Sequence, residues 1–368
     1  MSSLPIFRRD LVAETRPDRQ HDIWLLVAAG LLILTGFLAI YSVDSIKFGG
    51  HYTIRQVAYA GIGLVVFAVF CRMKVDWLER HSTWLYILNI LMLVAVFLVG
   101  RSRGEAQRWI DIGPIGFQPS DPSKILLTIT LAAYYANRQE SIRELKTFLV
   151  SILHAAPIIL LVFAQPHLGG AVALVVIWLI VSIYAGVPWK YFAIAGAIFI
   201  GLFALAWYTP GVMSDYQHKR IESYLNPDPK EGGYQATRSI IAIGSGGLLG
   251  AGFLKGEQKA AQYIPEQHSD FVFSVVGEEG GLIGSVIVLG CFTFFFYRVW
   301  LVGFRTRTPM ARMLVGGIFG FLAFHTVVNI GMVTQLTPVV GLWLPFVSAG
   351  GTALWTCMAA VGLLDAIR

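Results

Sequence analysis

The residues best placed for chemistry are His268-Ser269-Asp270, where a polar stretch ends and an apolar run from Phe271 to about Val299 begins. That run is long enough to cross a bilayer, which puts Asp270 at the water–membrane boundary. A carboxylate there can meet the head of a membrane-borne substrate and still exchange protons with water. Ser269 or Asp270 is expected to cap the helix, because either side chain can accept from its free first-turn N–H groups. A second concentration, RSRGEAQRWIDIGPIGFQPSDPSK at 101–124, brings Arg101, Arg103, Arg108 and Lys124 to one membrane edge around Trp109. Trp at that depth is ordinarily an interfacial anchor. Four cations on the non-cytoplasmic edge need another reason, which an anionic ligand such as a lipid phosphate would supply. Asp121 and Lys124, three apart at a helix start, can also simply pair with each other.

Gln165-Pro166-His167-Leu168-Gly169-Gly170 is a tight polar turn between two apolar runs. A lone His in such a turn is more often structural than catalytic, and no second His or carboxylate stands at ligand spacing, so no metal is assigned. Glu278 and Glu279 lie inside the apolar run. Eight residues of helix is about 12 Å of depth, and at about 100° per residue Glu278 points about 80° away from Asp270. Helix–helix hydrogen bonding is therefore expected of these acids rather than partnership with Asp270. Ser239–Phe253 carries Gly244, Gly246, Gly247, Gly250 and Gly252. A short re-entrant or interfacial segment fits it, provided that protein or water covers its backbone.

The elements that must position these groups are membrane helices. The chain is 56% hydrophobic and 14% charged over 368 residues, against about 25% charged for a soluble domain. Cys71, Cys291 and Cys357 form no metal spacing or disulfide framework. The net charge of +6 signals membrane orientation rather than nucleic acid. At about 20 residues per span, ten helices are expected near 23–43, 54–70, 84–100, 123–137, 148–165, 168–187, 191–208, 271–299, 313–333 and 341–365. Ile23–Val43 is too long for a cleaved signal's apolar core and reads as an uncleaved first span. With the N-terminus cytoplasmic, sixteen of the 28 Lys and Arg fall inside, as the positive-inside bias asks. The unusual stretches 101–124, 165–170, 210–270 and 334–340 then all face outward. The expectation is an all-α, polytopic single membrane domain over 1–368. It has a basic cytoplasmic tail at 1–22, a cytoplasmic C-terminus and a large extracytoplasmic loop at 210–270 between spans 7 and 8.

Four stretches, RWIDIGPIGFQPSDPSK, QPHLGGA, IPEQHSDFVFSVVGEEGGLIG and NIGMVTQLTPVVGLWLPFVSAGGTA, together resemble the SEDS family (shape, elongation, division and sporulation). They occur in the family's order across nearly the whole chain. The wording Asn329-Ile330-Gly331-Met332-Val333-Thr334 is closer to the RodA branch than to the FtsW branch. The resemblance implies a peptidoglycan glycosyltransferase that polymerises lipid II at the outer face of the bacterial plasma membrane during elongation and rod-shape maintenance. It also implies a class B penicillin-binding protein (a transpeptidase) and other elongation-complex membrane proteins as partners.

The family's catalytic Asp falls on Asp270, within His268-Ser269-Asp270-Phe271. Its Gln-Pro-Ser-Glu-x-x-Lys falls on Gln118, Pro119, Ser120, Asp121 and Lys124, its Arg-Trp on Arg108 and Trp109, its Gly-Tyr-Gln on Gly233, Tyr234 and Gln235, and its Gln-Pro-Asp-Leu-Gly begins at Gln165. This chain departs from the family with His167 for Asp, Asp121 for Glu, Arg238 for Gln and Ala349 for Tyr. The resulting assignment makes Asp270 the base, Arg108 and Lys124 with Arg101 the diphosphate clamp, and Trp109, Gln118, Ser120, Gln165, Tyr234, Gln235, His268 and Ser269 the remaining substrate contacts. A divalent cation, Mg or Mn, could share the clamping. The competing reading is a lipid II flippase or other transporter. Transport favours midplane polar groups and internal repeats, whereas here the polar chemistry gathers at one face.

Overall fold

A computed structural model of the chain describes residues 21–47, 49–103, 106–113, 115–209, 234–261, 264 and 266–368. The basic tail through residue 20 and loop residues 210–233, including Lys219, Arg220, Lys230 and Gly233, lie outside them. The helices are α1 (Ile23–Lys47), α2 (His51–Cys71), α3 (Val75–Arg80), α4 (Ser82–Val99), α5 (Ser120–Ala136), α6 (Leu145–Ala164), α7 (Leu168–Ala185), α8 (Trp189–Tyr208), α9 (Tyr234–Ser245), α10 (Glu257–Ala260), α11 (Val272–Arg305), α12 (Pro309–Val333) and α13 (Gly351–Ile367). Of these, α1, α2, α4, α6, α7, α11 and α12 are long and apolar enough to cross a membrane. The chain is a multi-pass membrane protein, with α5, α8 and α13 where the other three expected spans fall.

Three departures from the sequence expectations matter for the site. A small antiparallel sheet is built from β1 (Arg101–Arg103), β2 (Ala106–Ile112) and β3 (Ile115–Phe117), in that order, with Arg101 opposite Trp109. Alternation along β2 sends Arg108 and Trp109 to opposite faces. The last expected helix begins at Gly351 rather than 341, leaving 334–350 non-helical. Finally, α11 is two helices joined at Gly281, whose φ of 61° and ψ of −158° interrupt it.

A helix break inside an apolar segment exposes backbone groups that lipid cannot satisfy. Here the glycine-rich turn after α9 satisfies them. The carbonyls of Glu278 and Glu279 accept from the N–H groups of Ala251 (2.9 Å) and Gly252 (3.1 Å), and the N–H groups of Leu282 and Ile283 donate to the carbonyls of Gly247 (2.9 Å) and Leu248 (3.2 Å). The fit requires glycine: a Cβ on Gly250 would lie 2.0 Å from the Glu279 carbonyl oxygen, and Gly250 itself has φ +82°. The expected re-entrant segment is thus a backbone patch on a broken helix.

The acids beside the break are occupied as expected. Glu278 accepts from the N–H groups of Gln258 (2.6 Å) and Lys259 (3.2 Å) at the start of α10. Glu279 pairs with Lys259 and accepts from Ser42 on α1 at 2.5 Å. The core closes around α5, most of whose residues are buried, against α7, α12, α4 and α13. α13 packs along α2 and α1 along α11. At the end of α11 remote from Asp270, Arg298 donates to Asp22 at 2.7 Å and Asp22 lies 3.7 Å from Arg368. Both described chain ends therefore meet on the face opposite Asp270.

Candidate functional site

Asp270 closes a turn over 266–270 in which its N–H donates to the Glu266 carbonyl at 3.1 Å. The cap falls one residue later than expected: Phe271 is the N-cap of α11 and no side chain caps it. Ser269 instead donates its hydroxyl back to Glu266. The turn is held through its carbonyls. Ala349 N–H donates to His268 O at 3.0 Å, Ser348 Oγ–H donates to Ser269 O at 2.5 Å, and Asn329 Nδ2 donates to Asp270 O at 2.8 Å. The His268 ring packs on Tyr52 at 4.3 Å.

The non-helical segment 334–350 is the hub. Asn329 ties it to the Asp270 turn, because the same Nδ2 also donates to Leu342 O at 2.6 Å. Gly341 faces the carboxylate, and a methyl group there would lie 3.4 Å from Asp270 Oδ2. On its other side the segment packs on the 165–170 turn: a Cβ on Gly169 would meet the Leu342 side chain and the Val340 carbonyl at 2.9 Å. Trp343 Nε1 donates to Asp121 at 2.9 Å, and Gly350 N–H donates to Gln56 at 3.2 Å. One stretch of 17 residues thus connects all four sequence motifs.

Behind that turn lies a polar cluster. Arg108 reaches across from β2 and donates to the carbonyls of Gln165, at 3.2 Å, and Pro166. The His167 ring sits on Gly170, with Nδ1 3.2 Å from Ser120 Oγ and 3.4 Å from Gln118 Nε2. Gln165 Nε2 donates to Leu93 O at 3.1 Å. Gln118, Ser120, Gln165 and His167 are all buried. Among the described residues, Gln165 Oε1 and Asn329 Oδ1 are buried acceptors without a protein partner.

Lys124 is 0% exposed. Its Nζ pairs with Asp121 at 2.8 Å and lies 5.0 Å from the centre of the Trp343 ring, and the second Asp121 oxygen accepts from Thr352 at 2.9 Å. This is the pairing that the spacing of three allows, so the ammonium is neutralised inside the wall rather than open to an anion. Arg101 begins β1 opposite Trp109. Tyr234 and Gln235 begin α9, where the Tyr234 ring lies 5.2 Å from the Arg238 guanidinium. Ser239 and Thr237 moor α9 to Val333 and Gln335, at the entrance to the hub.

Sequence reasoning passed over Asn329, Trp343, Thr352 and His325 as members of this network. The signal was present: His325 and Asn329 are four apart inside an apolar helix, and polar residues at that depth need partners. His325 finds the Trp343 carbonyl at 3.2 Å and the Trp343 ring at 4.1 Å.

The family described as Cell cycle protein, FtsW/RodA/SpoVE, matches residues 21–368. The chain belongs to that family. It is 35% identical over 355 residues to peptidoglycan glycosyltransferase MrdB of Escherichia coli K12, covering 95% of this chain and 94% of that one. It is 33% identical over 368 residues to stage V sporulation protein E of Bacillus subtilis, covering 95% and 97%. The FtsW/RodA/SpoVE fold is also found in rod shape determining protein RodA of Thermus thermophilus, with a TM-score of 0.69, 28% identity and 94% and 95% of the two chains covered. A structure described as coordinating polymerization and crosslinking in a peptidoglycan synthase complex matches at TM-score 0.79 and 28% identity, over 94% and 97%.

Proposed function

We propose that this FtsW/RodA/SpoVE member is a peptidoglycan glycosyltransferase that extends glycan strands from lipid II, with Asp270 as the catalytic carboxylate. The observation that carries the assignment is the meeting of the four motifs on 334–350, with Gly341 against the carboxylate of Asp270. The reaction joins an acceptor sugar hydroxyl to the donor's anomeric carbon as the bond from that carbon to the polyprenyl diphosphate breaks. Asp270 takes the hydroxyl proton as the new bond forms. A carboxylate is a weak base toward a sugar hydroxyl, so its contribution comes from orientation and timing. The Asn329 and Ser348 hydrogen bonds supply that orientation by fixing the backbone on which Asp270 stands.

The diphosphate leaves with its negative charge near the 165–170 turn, where Arg108 is a cation within reach. Lys124 supports that wall through Asp121. A divalent cation, Mg or Mn, would find Asp270 and the substrate's own diphosphate oxygens. Among the described residues, the one group of three metal-ligating side chains is His21, Cys71 and Asp365, at the opposite end of the molecule.

The site faces the extracytoplasmic side with both termini cytoplasmic, in keeping with the basic loops at the opposite end. The partner is a class B penicillin-binding transpeptidase, by analogy with the synthase complex of similar fold. Transport has less support, because Glu278 and Glu279, the midplane acids it would use, are bound by Lys259, Ser42 and backbone N–H groups.

The deciding experiment is lipid II polymerisation in liposomes by wild type and Asp270→Asn, with and without the partner. Glycan strands from wild type alone are expected. Equal polymer from Asp270→Asn at equal expression would sink the base assignment, and lipid II crossing the bilayer without polymer would favour transport. Arg108→Gln should raise the lipid II requirement about tenfold; unchanged kinetics would remove Arg108 from the clamp.

A further inference from the structure

At the end of α7 opposite the candidate site, two exposed cations form no ion pair among the described residues. α7 starts at Leu168 beside His167 and ends at Ala185, so its far end is about 27 Å from the site. There a cavity of about 520 Å³ is lined by Arg143, Ile183, Gly186, Pro188, Trp189 and Lys190. The two sides come from different segments, the 138–144 connection before α6 and the turn between α7 and α8. Tyr191 fastens them together, donating its hydroxyl to the Arg143 carbonyl at 2.9 Å.

Arg143 and Lys190 are exposed, and neither forms an ion pair among the described residues, although Glu140 and Glu144 lie on the same connection. Lys190 Nζ lies 5.1 Å from the centre of the Tyr191 ring, which orients it without neutralising it. Trp189 is 70% exposed at the first residue of α8. An exposed Trp at a helix end marks the headgroup level of a bilayer. The cavity therefore sits where lipid phosphates are, and neither of its two cations is held in an ion pair among the described residues.

We infer that Arg143, Lys190 and Trp189 form a binding site for the headgroup of an anionic phospholipid in the leaflet opposite the candidate site. The cations take the phosphodiester, and Trp189 packs beside the glycerol backbone and upper acyl chains. Charge sets the selectivity. A zwitterionic headgroup brings its own ammonium to a pocket that already holds two cations, whereas phosphatidylglycerol adds only negative charge. Each cation near an anionic headgroup contributes an affinity factor of about five, so the pair should give a preference on the order of tenfold or more.

The test uses the full chain in detergent, titrated with phosphatidylglycerol or phosphatidylcholine of matched acyl chains and read by native mass spectrometry. Wild type should retain phosphatidylglycerol at least about tenfold better, whereas equal retention would overturn the site. R143Q/K190Q should lose the preference. R305Q/R307Q, which removes equal charge from the same end, should keep it; equal loss in both would mean general charge rather than a pocket. Glycerol 3-phosphate at millimolar concentration should leave the lipid bound, and displacement by it would reassign the pocket to a soluble phosphate. If R143Q/K190Q does not fold, wild type alone decides: phosphatidylglycerol with a photoreactive headgroup should label the peptide carrying Trp189, and labelling only elsewhere rejects the proposal.

Discussion

Two stretches of irregular backbone lie inside this bundle, and they differ in what satisfies them. At the break in α11 the freed groups pair with other backbone groups, those of Gly247 to Gly252. In 334–350 the flanking turns also close on backbone, but the middle is held by side chains, those of Asn329, His325 and Gln56 from elsewhere and of Ser348 from within. A backbone patch makes the break a matter of shape alone, so the residues that count there are those without a Cβ. A segment laced by side chains can instead be positioned by them, and this is the one that faces Asp270. Irregular backbone within a membrane thus serves closure in one place and orientation of a reacting group in the other.

The comparison predicts which variants lose activity and which lose stability. Asp270→Asn should lower polymerisation by about 10²–10⁴-fold while leaving the melting temperature in detergent within about 2 °C of wild type. A large fall in melting temperature would recast Asp270 as structural. Asn329→Ala removes the one tie between the hub and Asp270's own carbonyl, leaving those at His268 and Ser269. Misplacement on the scale of 1 Å should reduce turnover about 10²-fold, with a smaller loss of stability; normal turnover would detach the hub from the chemistry. Gly250→Ala should do the reverse, costing about 3 kcal/mol in unfolding while the folded fraction keeps its specific activity. Full stability in that variant would mean that the break closes by some other route. Glu278→Gln should be mildest, at about 1 kcal/mol, since the amide oxygen can still accept one of the two N–H groups. A fall in lipid II turnover there without a change in stability would bring the acid back into the mechanism.

The spans were legible because hydropathy reports which segments are withdrawn from water. It does not report conformation, and this is why 341–350 read as helix. Val340, Leu342, Trp343, Leu344, Phe346 and Val347 are as apolar as any span, yet Pro338 and Pro345 remove N–H donors and Gly341 turns the chain. The strand β2 was hidden in a loop because seven residues give too short an alternation to stand out. Asp270 could be found from its position at the edge of an apolar run. Its supports could not, since Asn329 is 59 residues away and the Asp121 partners Trp343 and Thr352 are 222 and 231 residues away. Lys124 shows the limit most plainly. Its spacing from Asp121 allowed a pair and its charge allowed a ligand, and only the folded wall around it decides for the pair.

That buried pair also orders events in time. Asp121 and Lys124 are synthesised long before Trp343 and Thr352, and at about 5–20 residues per second the ribosome takes about 10–45 seconds to supply them. Through that interval the nascent chain carries an acid whose hydrogen-bond shell is half built, and in its last third a turn at Asp270 whose hub is not yet made. The helix that carries Thr352 is therefore the keystone, and a chain truncated before it is expected to be inserted but inert. Biosynthesis itself then delays the onset of catalysis until Trp343 and Thr352 are in place.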